Sequence, residues 1–194
     1  MNEKLSTKDR ILTASIDLFS KNGYKAVTTK QIAKTASVNE VTLFRYFGSK
    51  QKLLEEAMDT FYLEIEIKKI FDEKIIWDLE KDLMMISKIT NNFMNQNRKI
   101  IQITMNSYCG MDEKEHDFGN FPQTLKGLLT EYFLEMQKRG KVIEENPEGQ
   151  AITFMFSNFG NFMSSEVVKD KITTMSTEDF IKSSIKIFVR GLTT

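Results

Sequence analysis

A single cysteine, Cys109, excludes a disulfide within the chain and suits a reducing compartment. A single histidine, His116, denies Glu113-x-x-His116 the second copy that a carboxylate-bridged di-iron bundle needs. Cys109, Asp112 and His116 have the donor types for one metal ion, but the acidic run from Asp112 to Asp117 reads more simply as a solvated loop. Cys109 and His116 also have the types of a nucleophile and its base, yet nothing around them suggests an oxyanion site. No glycine-rich phosphate loop, strand alternation, internal repeat or low-complexity tract is present. Apolar runs of about 18 residues are missing, so no membrane span is expected. The charged start, M-N-E-K-L-S-T-K-D-R, is not followed by the apolar stretch of a signal peptide. Only 2 prolines and 9 glycines interrupt 194 residues, which leaves long segments free to be helical. These absences predict an all-α, cytoplasmic chain that is not an enzyme and needs neither cofactor nor metal.

What is present begins with charge. The whole chain balances at 27 basic against 27 acidic residues, but the balance is uneven along it. Residues 1–50 carry 9 Lys and Arg against 4 Asp and Glu, and the rest carries 18 against 23. The basic part surrounds the stretch Thr28–Lys50. There, Thr28 and Gln31 have capping-box spacing, so a helix starts at Thr29. Ile32, Ala33 and Ala36 share one face of it, Ser37-Val38 is the turn, and Asn39 caps a second helix. In that second helix Leu43 and Phe47 lie one turn apart and point inward. At about 100° per residue, Val41, Thr42 and Arg45 then point outward, with Phe44 and Tyr46 on the flanks. Two short helices, the second with an outward polar and aromatic face, describe a helix-turn-helix.

The residues Gly23-Tyr24, Thr28-Thr29, Ile32-Ala33, Ala36-Ser37-Val38, Leu43-Phe44-Arg45-Tyr46-Phe47 and Lys50 resemble the DNA-binding region of TetR-type bacterial transcriptional regulators. Two positions depart from that pattern. Ser37 replaces the usual turn glycine, which costs backbone strain if φ is positive there. Phe44 replaces the usual tyrosine and loses a hydroxyl. The resemblance covers about the first quarter of the chain. It implies DNA contact by Thr28, Thr29, Lys30, Asn39, Val41, Thr42, Phe44, Arg45, Tyr46 and Lys50. Arg45 has the chemistry for guanine, and Val41 or Thr42 for a thymine methyl. Tyr46, Lys50, Thr28 and Thr29 suit phosphate. Glu40 stands out as an acid beside this face, which must face a base amine, pair with a cation or point away.

The rest of the chain reads as helices. Ser6 or Thr7 caps a first one to about Lys21, carrying Ile11, Leu12, Ser15, Leu18 and Phe19 as a single stripe. From Ser49 to about Phe71, Leu53, Leu54, Ala57, Met58, Phe61, Tyr62 and Ile65 predict one unbroken helix of about 30 Å, a stiff link between head and body. Further helices are expected over Trp77–Asn95, Arg98–Tyr108, Pro122–Lys138, Asn146–Val168 and Ser176–Gly191, with a loop from Cys109 to Asn120. The organisation expected is a three-helix head, residues 1–50, joined by the long helix to a larger helical bundle body, 51–194, with about nine helices in total.

The body is rich in Met and Phe. Met84, Met105, Tyr108, Phe133, Met136, Phe154 and Met163 fit the lining of a plastic apolar pocket, or plain core. The resemblance implies an effector cavity here without naming its ligand. It also implies a homodimer through the last two helices, for which Phe159, Gly160 and Phe188 are the candidates, core being the equal alternative. The expected partners are thus double-stranded DNA with a palindromic operator, a second copy of the chain, and a small, largely apolar effector. Together they describe a ligand-responsive regulator, in the first place a repressor. The rival is a helical small-molecule-binding protein or enzyme whose helix-turn-helix is only scaffold.

Overall fold

The computed structural model describes residues 5–63, 65–108, 121–167 and 173–193, and these form ten α-helices with no strand among them. They are α1 Thr7–Asn22, α2 Thr29–Thr35, α3 Glu40–Phe47, α4 Lys50–Phe61, α5 Ile67–Lys74, α6 Leu79–Gln96, α7 Arg98–Tyr108, α8 Phe121–Lys138, α9 Pro147–Val167 and α10 Thr177–Leu192. The expected loop from Cys109 to Asn120, with Glu113 and His116, lies outside the described residues, as does the side chain of Tyr108. No described helix is long and apolar enough to cross a membrane.

Local chemistry sets most helix ends. Ser6 Oγ accepts the Asp9 amide at 3.1 Å while the Asp9 carboxylate accepts the Ser6 amide at 3.2 Å, a complete capping box for α1. Ser49 Oγ accepts the Lys52 amide at 3.1 Å and starts α4 directly after α3. Ser176 does the same for α10 through the Asp179 amide at 3.1 Å.

One expectation fails. The helix predicted from Ser49 to Phe71 stops at Phe61, and α5 resumes only at Ile67, which is why ten helices replace the expected nine. Tyr62 is extended, with ψ 123°, and both backbone groups of Leu63 leave the helical ladder. The Asn97 side chain takes them instead, accepting the Leu63 N–H at 2.8 Å and donating to its carbonyl at 2.9 Å. A distant side chain that satisfies a part-buried backbone donor and acceptor removes the need for helix there. Apolar periodicity carries no trace of it.

The helices gather into two compact units. The first holds α1–α4 and α7. Its core runs through Ile11, Phe19, Ile32, Leu43, Phe47, Leu53 and Leu54, and Ile100 and Ile103 of α7 belong to it. The second holds α5, α6 and α8–α10 around Leu83, Ile86, Leu129, Phe133, Met136, Phe154, Ile181 and Ile185. In the second unit α6 starts at Leu79, two residues later than its apolar pattern, because Trp77 has a left-handed φ of 61°. That conformation is strained for a bulky residue. The carboxylate of Asp82 holds the turn, accepting the Ile76 and Asp78 amides at 3.0 Å and the Tyr132 hydroxyl at 3.1 Å. Burial, then the Asp82 charge, pushes the Tyr132 phenol far above its ordinary value. The Trp77 ring stacks on Tyr132 at 5.7 Å and carries the Arg139 guanidinium 4.1 Å from its centroid.

Candidate nucleic-acid interface

The site is built from the caps upward. Thr28 Oγ1 accepts the Gln31 amide at 3.2 Å, and Gln31 Oε1 accepts the Thr28 amide at 2.8 Å, so α2 begins on a closed capping box. Ile32 and Ala33 then face inward, as their spacing predicts. The turn closes with the Val38 amide on the Ala33 carbonyl at 2.9 Å. Ser37 sits in it at φ 56°, the strained conformation that its glycine-like position predicts. Asn39 Oδ1 accepts the Val41 amide at 2.9 Å and starts α3.

Within α3 the assignment of faces holds. Leu43 and Phe47 are buried in the first unit's core, which fixes the roll of the helix. Val41 is 74 % exposed, Arg45 is exposed, Thr42 is half-buried beside them, and Phe44 and Tyr46 flank the face in the open. The exposed Arg45 guanidinium lies 5.7 Å from the Tyr46 ring centroid. Thr28, Lys30 and Asn39 are exposed.

Two predicted contact residues are engaged with partners distant in sequence. The Thr29 hydroxyl donates to Glu40 Oε1 at 2.5 Å, which also answers where the acid goes: it ties the first turn of α3 to the first turn of α2. Lys50 Nζ donates to the Tyr24 carbonyl at 2.5 Å and sits 4.2 Å from the Tyr24 ring centroid. Burial lowers the Lys50 ammonium below its ordinary value. Lys50 thus staples α4 to the segment before α2, a role that spacing along the sequence does not reveal. Lys25 and Lys34, which the sequence reading passed over, are exposed cations on the same small head; plain surface charge was their only signal.

The residues proposed for the pocket divide between the units. Phe133, Met136 and Phe154 are fully buried together in the core of the second, and Met84 packs against it half-buried. Met163 is half-buried on α9, whereas Met105 is exposed on α7 in the first unit. Of the three interface candidates, Phe188 turns inward, with ring centroids 6.0 Å from Phe133 and 5.8 Å from Phe154. Phe159 is half-buried against Phe162 at 6.4 Å, and Gly160 is exposed. The large exposed side chains on these two helices are others, Phe156 at 66 % and Ile187 at 74 %. A shallow depression of about 390 Å³ lies elsewhere, lined by Leu134, Gln137, Lys138, Glu144 and Glu145.

Comparison with known proteins bears on the whole chain. Residues 11–57 match the model of bacterial regulatory proteins of the tetR family. An uncharacterized HTH-type transcriptional regulator of Bacillus subtilis, YvkB, is 31 % identical over 186 residues, 96 % of this chain and 97 % of its own. The HTH-type transcriptional repressor KstR of Mycolicibacterium smegmatis is 41 % identical over 61 residues, 31 % of this chain and 30 % of its own. In fold, the chain is similar to the fatty acid degradation regulator FadR from Bacillus halodurans, with TM-score 0.61, 17 % identity and 98 % of each chain covered. A capped helix-turn-helix with an outward-facing second helix, and a relative matched from end to end, have one reading: the chain belongs to the TetR family of helix-turn-helix transcriptional regulators.

Proposed function

We propose that this regulator works in the cytoplasm as a homodimeric repressor, released from a palindromic operator by a small, largely apolar effector. The observation that carries the reading is α3, whose buried Leu43 and Phe47 hold Val41, Thr42 and Arg45 outward. In this reading Arg45 bonds guanine, and Val41 and Thr42 meet thymine methyls in the major groove. Thr28, Lys30, Asn39, Phe44 and Tyr46 lie along the phosphates, where the exposed N-terminus of α2 favours negative charge. Thr29 and Lys50 act indirectly, keeping α2, α3 and α4 in place through Glu40 and the Tyr24 carbonyl. DNA reading is assigned to residues 1–50, and effector binding and dimerisation to 51–194.

A dimer follows from the geometry of the DNA, since two half-sites lie about 34 Å apart. Its interface is assigned to α9 and α10. Ser157 and Ser184, 3.2 Å apart, join these helices, and Phe156 and Gly160 on one and Ile187 and Gly191 on the other are exposed on either side. Two large apolar side chains in the open beside glycines suit close helix packing with a second copy. The effector is assigned to the Phe- and Met-rich interior of the second unit, with Phe133, Met136, Phe154, Met84 and Met163 as the lining.

The test is fluorescence anisotropy with a duplex selected by the full chain from a random pool. Binding should depend steeply on salt, and Arg45→Ala should weaken the selected duplex about tenfold or more, at roughly 1–3 kcal/mol per base contact. Equal affinity of Arg45→Ala for the selected duplex would sink the reading.

A further inference from the structure

We propose that Asn97 is the joint through which the state of the second unit reaches the DNA-reading helices. The inference rests on the regulator reading and adds to it the route of coupling, left open once the helix after Ser49 proves to stop at Phe61.

The chain passes between the compact units at described residues twice over a short span, leaving the first after Leu63 and re-entering it at Asn97. These two points are bonded to each other. Asn97 Oδ1 accepts the Leu63 N–H at 2.8 Å and Asn97 Nδ2 donates to the Leu63 carbonyl at 2.9 Å. Asn97 is 1 % exposed, so its amide, unlike the exposed Leu63, cannot exchange these bonds for water where it stands. A primary amide that gives and takes on one residue's backbone has a single orientation, and shifting either segment breaks both bonds at once. The joint is therefore two-state: closed, with both bonds, or open, with the buried Asn97 amide to be satisfied elsewhere.

What the joint touches gives it consequence. On one side α6 of the second unit ends at Gln96, the residue before it. On the other, the Asn97 carbonyl accepts the Ile101 amide at 2.9 Å and so opens α7, whose Ile100 and Ile103 pack in the first unit's core. Leu63 follows two residues after α4, and α4 begins at Lys50, the staple to Tyr24, straight after α3. α4 and α7 both pack on α1, the helix that braces the helix-turn-helix. A displacement of the α6 end is thus delivered to α7 along the backbone and to α4 through one side chain, that of Asn97.

The experiment uses the full chain and the selected duplex as probe. Trp77 is the only tryptophan and lies in the second unit, so its fluorescence reports unfolding there. With the duplex at a hundredfold its Kd, the wild-type urea midpoint read at Trp77 should rise by about 1 M. Asn97→Ala should bind the duplex within threefold of wild type yet lose that rise. If Asn97→Ala does not fold, Asn97→Asp, which keeps an acceptor for Leu63 and loses the donor, carries the same comparison. Hydrogen exchange at the Leu63 amide of the wild-type chain provides a reading independent of any variant and of DNA. Strong protection supports the tie, and exchange at the free-peptide rate overturns it. An undiminished midpoint shift in the variants, or none in the wild type while it binds DNA, would also overturn the proposal and leave the regulator reading standing. Failure of the wild-type chain to bind any duplex would remove the regulator reading instead, and protection at Leu63 would still judge the joint.

Discussion

At Ser37 the backbone holds a non-glycine residue at φ 56°, in a turn whose hydrogen bonds leave it no alternative. A left-handed conformation costs an L-residue about 1–2 kcal/mol, and glycine escapes it at the expense of unfolded-state entropy. The difference favours glycine, so Ser37→Gly should stabilise the fold by about 0.5–1 kcal/mol, read as a raised thermal midpoint with unchanged DNA selection. A lower midpoint would mean that the serine side chain makes a compensating contact. Glu40 presents the opposite balance. Its carboxylate takes the Thr29 hydroxyl at the N-terminal turns of α2 and α3, where the proposed reading puts phosphate. A charge about 7 Å from a phosphate in water costs roughly 0.6 kcal/mol, and a dimer counts it twice. Glu40→Gln keeps an oxygen for Thr29 and removes the charge, so affinity for a scrambled duplex should rise about sevenfold in a filter-binding assay. Unchanged affinity for the scrambled duplex would place Glu40 away from the phosphates.

At the scale of helices, the reading head was legible in the sequence because its signals are local. Capping pairs three residues apart, a turn residue and two apolar positions one turn apart fix α2, α3 and their faces without help from the rest of the chain. The break after Phe61 was illegible for the converse reason: apolar spacing continues through Tyr62 and Ile65, and the agent of the break lies 34 residues away at Asn97. Lys50 escaped in the same manner, its partner Tyr24 being 26 residues distant. The last two helices show a third limit. α9 is apolar on several faces, so its sequence cannot say which aromatic turns out, and Phe154 and Phe162 go inward while Phe156 stays in the open. If α9 and α10 form the dimer interface, Phe156→Asp with Ile187→Asp should convert the chain to monomer in sedimentation velocity, with the far-UV helical spectrum retained. Burying an unpaired carboxylate costs several kcal/mol per copy, more than a small interface supplies. A dimer that survives both substitutions would move the interface to another face.

For the whole molecule the decisive quantity is how charge is spread. Residues 1–50 carry an excess of five positive charges and the remainder an equal negative excess, so the charge that would draw DNA is concentrated in the head. Not every basic residue of the head is available. Lys8 pairs with Glu56, and Lys50 is held by Tyr24. Lys21, Lys25, Lys30, Lys34 and Arg45 are exposed, and if three or four of these lysines act per head a dimer makes about six to eight phosphate contacts. At roughly 0.9 per contact, log K should fall against log salt with a slope of about −5 to −7. Lys30→Ala removes one contact from each head and should flatten the slope by about 2 while leaving the order of preferred sequences unchanged, since phosphate contacts carry no base information. Arg45→Ala should do more, flattening the preference at the base pair it reads as well. If the two variants lose affinity alike on all sequences, Arg45 faces the backbone, and the reading role passes to Val41, Thr42 and Tyr46. If Lys30→Ala flattens the slope by about 1 instead of 2, one head binds at a time, and the two-headed arrangement that the operator requires is not the one the chain adopts.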